Sequence, residues 1–109
     1  MVRTLLLLAL AAPLAAAAQS SKLALGETVF NSTCKSCHDT GKTDNDAPQL
    51  SHREDWQTRL KSGRDALYRN SIDGLKGYFE MPARGGNPRL SDDEVKTAVD
   101  YILERAGAR

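Results

Sequence analysis

Apolar positions along the chain recur at helical spacing and nowhere alternate for long in the manner of a strand. The clearest stretch is the last. Val95, Ala98, Val99, Tyr101, Ile102 and Leu103 fall on one face of a 3.6-residue period. Ser91-Asp92-Asp93-Glu94, just ahead of them, has the form of a capping box. Ser51-His52-Arg53-Glu54 has the same form and predicts a helix to about Ser62, with Gly63 placed to end it. Ala66, Leu67 and Ile72 predict another over residues 64–72, before Gly74. Residues 22–32 make a shorter helical stretch, with Phe30 one turn after Gly26. Between these, residues 41–50 are polar and turn-forming around Pro48. Residues 75–90 read as loop, broken by Gly77, Pro82, Gly85, Gly86 and Pro88. No internal repeat is visible, and the expectation is a single all-α domain.

The N-terminal segment follows a different pattern. Arg3 gives a short positive start, residues 5–12 are an unbroken apolar run, and Ala16-Ala17-Ala18 supplies small residues at cleavage positions. This is the pattern of a secretory signal peptide over residues 1–18, leaving a domain over residues 19–109 in the periplasm. Pro13 interrupts the run, which falls short of the ~20 apolar residues a lasting span needs, so no stable membrane insertion follows cleavage. An uncleaved N-terminal anchor is the other reading.

About 90 residues make one small domain with a thin core. Two Phe, one Trp and three Tyr are available to fill it. With Arg3 gone, 14 Lys and Arg balance 14 Asp and Glu, a pattern that excludes a nucleic-acid binder. A buried prosthetic group would supply apolar surface that the polypeptide lacks.

Cys34-Lys35-Ser36-Cys37-His38 supplies the candidate chemistry. C-x-x-C-H is the attachment spacing for covalent c-type haem: two thiols on one tight turn each bond one vinyl group, and the next imidazole lies beneath the iron. These are the chain's only cysteines. Half a zinc site and a thioredoxin-like pair are the competing readings. Zinc wants four ligands where only His52 remains to add a nitrogen, and the redox pair wants a βαβ context that this pattern lacks.

Iron held by His38 on one face needs its other face accounted for. Past the leader the chain has one Met, Met81, beside the stiffening Pro82, and one spare histidine, His52. Met81 is the expected axial partner, with a bis-histidine site through His52 as the alternative; otherwise His52 is an exposed helix-start residue.

Pro48-Gln49-Leu50, Trp56-Gln57-Thr58-Arg59, Gly63, Met81-Pro82-Ala83-Arg84-Gly85-Gly86, Ser91-Asp92-Asp93-Glu94-Val95 and Ala98-Val99-Asp100-Tyr101 follow the haem motif in order. The series resembles the cytochrome c5 branch of the class I cytochromes c, over nearly all of the chain past the leader. The resemblance implies a small fold of about four helices wrapped around one haem, its first and last helices crossing at Gly26, Phe30 and Tyr101. It implies that the Pro48 carbonyl accepts from the His38 ring, and that Trp56 and Arg59 lie near the haem propionates. Trp56 is expected to pack on the ring edge and reach a carboxylate, or else to be ordinary core; for Arg59 the alternative is a solvated charge. Some members of the branch carry a Cys pair just after the Met-Pro segment. Here Asn87 and Leu90 stand there, and Ala83 stands where a second Pro is common, leaving the Met81 loop less constrained.

Iron with both faces filled by protein has no position for substrate. The expected function is therefore single-electron carriage, by a monomer meeting redox partner proteins transiently. A dedicated haem subunit of a larger redox enzyme, or a peroxidase- or sensor-type protein with a labile sixth ligand, are the alternatives. Asp92-Asp93-Glu94 complements a helix dipole better than it forms an acid–base site. Lys61, Arg64, Arg69, Lys76, Arg84 and Arg89 either ring an exposed haem edge or are scattered solubilising charges.

Overall fold

The computed structural model describes residues 8, 13–41 and 47–108. Helix α1 spans Leu14–Val29 and runs into one π-helical turn, Phe30–Cys34, and a short helix α2, Lys35–His38. Helix α3 is Arg53–Leu60, α4 is Arg64–Asp73, and α5 is Asp92–Ala106. A tight 3₁₀ turn, Ala83–Gly86, interrupts the long connection between α4 and α5. Among the described residues no strand forms, only an isolated antiparallel bridge between Leu75 and Met81.

The expected leader falls mostly outside the described residues. Its last five, 14–18, are helical, exposed and continuous with the rest of α1. The helix therefore starts well before residue 22. Four consecutive alanines after Leu14 suit a helix as well as they suit a leader's end, since alanine is the best helix former. At the other end the helix does not stop at Ser32: the π-turn carries it through to Cys34, and α2 continues to His38.

Helix α4 matches its expected range to within a residue. Helix α3 departs at both ends. Its N-cap is His52, whose side chain makes no capping bond, so the Ser51–Glu54 box does not form. The backbone explains this: the His52 N–H donates to the Gln49 carbonyl at 2.9 Å, which draws Ser51 into the preceding turn. At the C-terminal end, Lys61, Ser62 and Gly63 each donate three residues back in tight turns, and the helix closes at Leu60. The box at α5 forms in full, with Glu94 N–H donating to Ser91 Oγ at 3.1 Å and Ser91 N–H to Glu94 Oε1 at 3.0 Å.

The core lies where α5 crosses α1, with α4 packed on the same helix. Gly26 makes that crossing possible. A Cβ there would collide with the Thr97 backbone carbonyl, so only glycine permits the approach. One turn later Phe30 is almost fully buried, and its ring lies 5.4 Å from that of Tyr101, tilted 48°. The sequence expectation for Gly26, Phe30 and Tyr101 holds. Val95, Ala98, Val99, Ile102 and Leu103 form the buried face of α5. Part of that face, with Val29 and Leu67, is left lining a cavity.

Candidate functional site

One wall of the cavity comes from the turn that joins α1 to α2. Cys34 caps α2, Cys37 and His38 lie within it, and all three line the space. His38 is buried, with Nδ1 2.9 Å from the Pro48 carbonyl oxygen. A carbonyl only accepts, so Nδ1 carries the proton and the neutral ring keeps its free lone pair on Nε2. Burial holds the His38 imidazolium below the ordinary histidine range; the Pro48 bond opposes this, and the Arg59 charge adds to it. The neutral imidazole is the form that binds metal. In the polypeptide alone, burial and the neighbouring Cys37 push the Cys34 thiol up to about 11. A thiol kept protonated is slow to oxidise.

Gln49 carries weight that the sequence reading did not assign to it. It is buried, its amide donates to the Cys37 and Ala47 carbonyls at 2.9 and 3.0 Å, and its Oε1 accepts from Thr40 N–H and hydroxyl. Its backbone carbonyl accepts from Trp56 Nε1 at 2.9 Å, while Leu50 N–H donates to the His38 carbonyl at 2.7 Å. The segment supplying the Pro48 oxygen is thus tied to α2 on both sides of the imidazole. A polar residue in a polar stretch gives no sign of this; only its place between two elements does.

Trp56 corrects an expectation. Its single N–H is taken by Gln49, so it is not aimed at a carboxylate. The ring is buried and lies 5.6 Å from His38 at 49°, packing on the imidazole side of the cavity. Arg59 is half-buried, lines the cavity and donates to the Asp55 carbonyl at 3.3 Å. Its charge is the smallest of the influences that hold the His38 imidazolium below the ordinary range.

Met81 lines the cavity from the loop that follows α4. Two backbone bonds to Leu75, at 2.9 and 3.0 Å, hold it, and Gly74 makes the bend before them with φ 81°. A Cβ at Gly74 would lie 2.7 Å from the Met81 carbonyl oxygen. His52 is exposed, 3.5 Å from Asp55, and is not among the cavity's lining residues. Of the six basic residues, Arg64 is paired with Asp100 and Arg84 with Asp92. That removes two from any free ring of charge.

The family model described as cytochrome c oxidase, cbb3-type, subunit III matches residues 21–102. Cytochrome c-555 of Chlorobaculum thiosulfatiphilum is 37% identical over 81 residues, covering 73% of this chain and 92% of that protein. The chain belongs to the c-type cytochromes. Cytochrome c5 of Azotobacter vinelandii is also 37% identical, over 68% of this cytochrome and 86% of its own length. A chain in the crystal structure of an electron transfer complex of nitrite reductase with cytochrome c shares the fold. Its TM-score is 0.63 at 32% identity, over 75% of this cytochrome and 94% of that chain.

This cytochrome is an electron-transfer protein with covalent haem c as its cofactor. The residues present fit that group. An apolar space faces Val29, Leu67, Val99 and Ile102, with two thiols and a neutral imidazole on one side and a thioether on the lining. The competing zinc reading finds no support, since no cluster of three or more His, Cys, Asp or Glu side chains exists among the described residues. The thioredoxin-like reading lacks its strand among the described residues.

Proposed function

We propose that the protein carries single electrons in the periplasm, with haem bound through Cys34 and Cys37 and with His38 and Met81 as axial ligands. The observation that supports this is a single apolar cavity bordered by both the Cys34–Cys37–His38 turn and Met81. Haem c supplies a one-electron iron couple there, and thioether ligation favours the ferrous state. Hydrogen bonding to Pro48 fixes the His38 tautomer and ring plane and strengthens the donor nitrogen. Trp56 and the α5 face exclude water, so little solvent reorganises when the charge changes.

Residues 14–18 are exposed along their whole length, which supports their removal with a signal peptide. No helix among the described residues is long and apolar enough to cross a membrane. Partner contact is brief in this reading. Tyr78 is 92% exposed and packs edge-on against Phe79, which lines the cavity and offers an apolar footing for a redox protein. The solved complex with nitrite reductase supports a partner of that kind.

The family description names an oxidase subunit, which favours a second reading as a dedicated haem subunit. The extent of the match to the c-555 and c5 proteins supports the carrier instead.

Optical spectra of protein matured in a periplasm-competent host test the proposal. A weak far-red charge-transfer band in the ferric form, lost on Met81→Ala, with no carbon monoxide shift in the ferrous form, is the expected result. A shift with carbon monoxide would mean an available iron position and would overturn the carrier reading. Stable co-purification with a larger enzyme would favour the subunit.

A further inference from the structure

We propose that Arg84 is a positioning residue, clasping the Met81 loop to the start of α5. The proposal rests on Met81 being an axial ligand. Arg84 is the only non-glycine among the described residues with positive φ, at φ 55° and ψ 29°. A long side chain is disfavoured in that left-handed region, and such a conformation persists only where its surroundings hold it. Here the side chain supplies the hold. Its Nη1 donates to the Leu90 carbonyl at 3.0 Å, and its Nη2 lies 2.6 Å from Asp92 Oδ1 in the first turn of α5.

The other bonds in this stretch are local. Gly85 N–H donates to the Pro82 carbonyl, Asn87 N–H to Arg84, and Leu90 N–H to Asn87, each three residues back. Such turns shape the loop without fixing it to the body of the protein. The Arg84 fork spans from the loop to α5, and a planar guanidinium does so with two N–H groups in fixed relation. Its side chain is 27% exposed and lines the same cavity as Met81. The next residue, Gly85, lies against the Thr33 methyl group, where a Cβ would come within 3.0 Å. The clasp therefore presses the loop onto the turn that carries Cys34.

The clasp matters to the site because the bridge to Leu75 anchors Met81 on one side, and Arg84 holds the loop on the other. With residues 82–90 free to lift, the sulfur would leave its place without the domain unfolding. Arg84 would thus set how rarely an outside ligand reaches the iron.

The test uses the haem-loaded protein and four variants: Arg84→Gly, Arg84→Lys, Asp92→Asn and Met81→Ala. Exogenous imidazole binding to the ferric form reads loop opening, far-red absorbance against temperature reads Met81, and far-UV circular dichroism reads global unfolding. Arg84→Gly relieves the positive φ and so spares the fold. It is expected to capture imidazole faster by roughly tenfold or more, as when residues supporting a metal ligand are lost. Its far-red band should fade well below the global midpoint. Arg84→Lys, which keeps the charge but not the fork, should fall between it and the parent, and Asp92→Asn should shift the same way by less. Imidazole capture by Arg84→Gly at the parent rate would overturn the proposal. So would a band that disappears only with global unfolding, which would make Arg84 merely structural. A far-red band surviving in Met81→Ala would instead remove the ligation reading, and the clasp's role with it.

Discussion

His38 and Pro48 are joined by a 2.9 Å hydrogen bond from ring nitrogen to backbone carbonyl, across ten positions of the chain. The bond is as reliable as the segment that presents the carbonyl, and Gln49 holds that segment. Gln49→Leu keeps the volume but removes the side-chain hydrogen bonds to Thr40 N–H and to the Cys37 and Ala47 carbonyls. A typical hydrogen bond contributes about 0.5–1.5 kcal/mol net, so thermal unfolding of the haem-loaded variant should come earlier. The reduction potential should move as well, because the imidazole loses its fixed partner. A variant with the parent's midpoint and potential would show that solvent or other groups substitute for the amide.

At the α1–α5 crossing, Gly26 reverses the usual effect of alanine. In an ordinary helix Gly→Ala gains about 0.5–1 kcal/mol. Here the added Cβ meets the Thr97 carbonyl and the Tyr101 Cβ, and backbone cannot swing aside as a side chain does. Overpacking of that kind costs typically ~1–3 kcal/mol, so Gly26→Ala should lower the denaturant midpoint. A midpoint at or above the parent's would mean the two helices separate without loss.

What the sequence disclosed depended on how local the cause was. Cys34, Cys37 and His38 declare themselves within five residues, and α5 shows both its period and its cap. The Ser51 box shares that form yet fails, because a backbone bond from His52 to Gln49 claims the turn first. The start of α1 is hidden because its alanines serve a leader and a helix equally. The sequence leaves Trp56 either reaching toward a carboxylate or sitting in ordinary core; the structure gives its N–H a partner seven residues earlier that only the folded chain brings near. Arg84 looked like one surface charge among six; its strained backbone and its bond to Asp92 arise from the loop's path. Such contacts between elements leave no mark in a periodicity.

Gly74 tests the other end of the Met81 loop. Alanine there must adopt φ 81° and place its methyl group 2.7 Å from the Met81 carbonyl oxygen. The bridge between Leu75 and Met81 would open before the helices do. Gly74→Ala should lose the far-red band at temperatures where far-UV circular dichroism is still native, and should cost ~1–3 kcal/mol in global stability. Parallel loss of both signals would show that the bridge has no separate role.

Tyr68 and Arg64 meet on one oxygen of Asp100, with the phenol at 2.6 Å. Burial, then the hydrogen bond to Asp100 and that carboxylate's charge, raise the Tyr68 phenol above its usual range, while Arg64 pulls it down. The folded protein therefore holds this proton to higher pH than the unfolded chain does. Below the ordinary tyrosine value of about 10 both states keep it, and the contribution is fully present. As pH rises beyond that value the unfolded chain ionises first, and the contribution is lost on the way to the folded value. Tyr68→Phe removes the bond, so at neutral pH it should cost about 1 kcal/mol or less. It should also make the alkaline decline in unfolding midpoint shallower than the parent's. Thermal unfolding scanned from neutral to alkaline pH on both proteins decides it: parallel declines would show that Asp100 does not hold the phenol in solution.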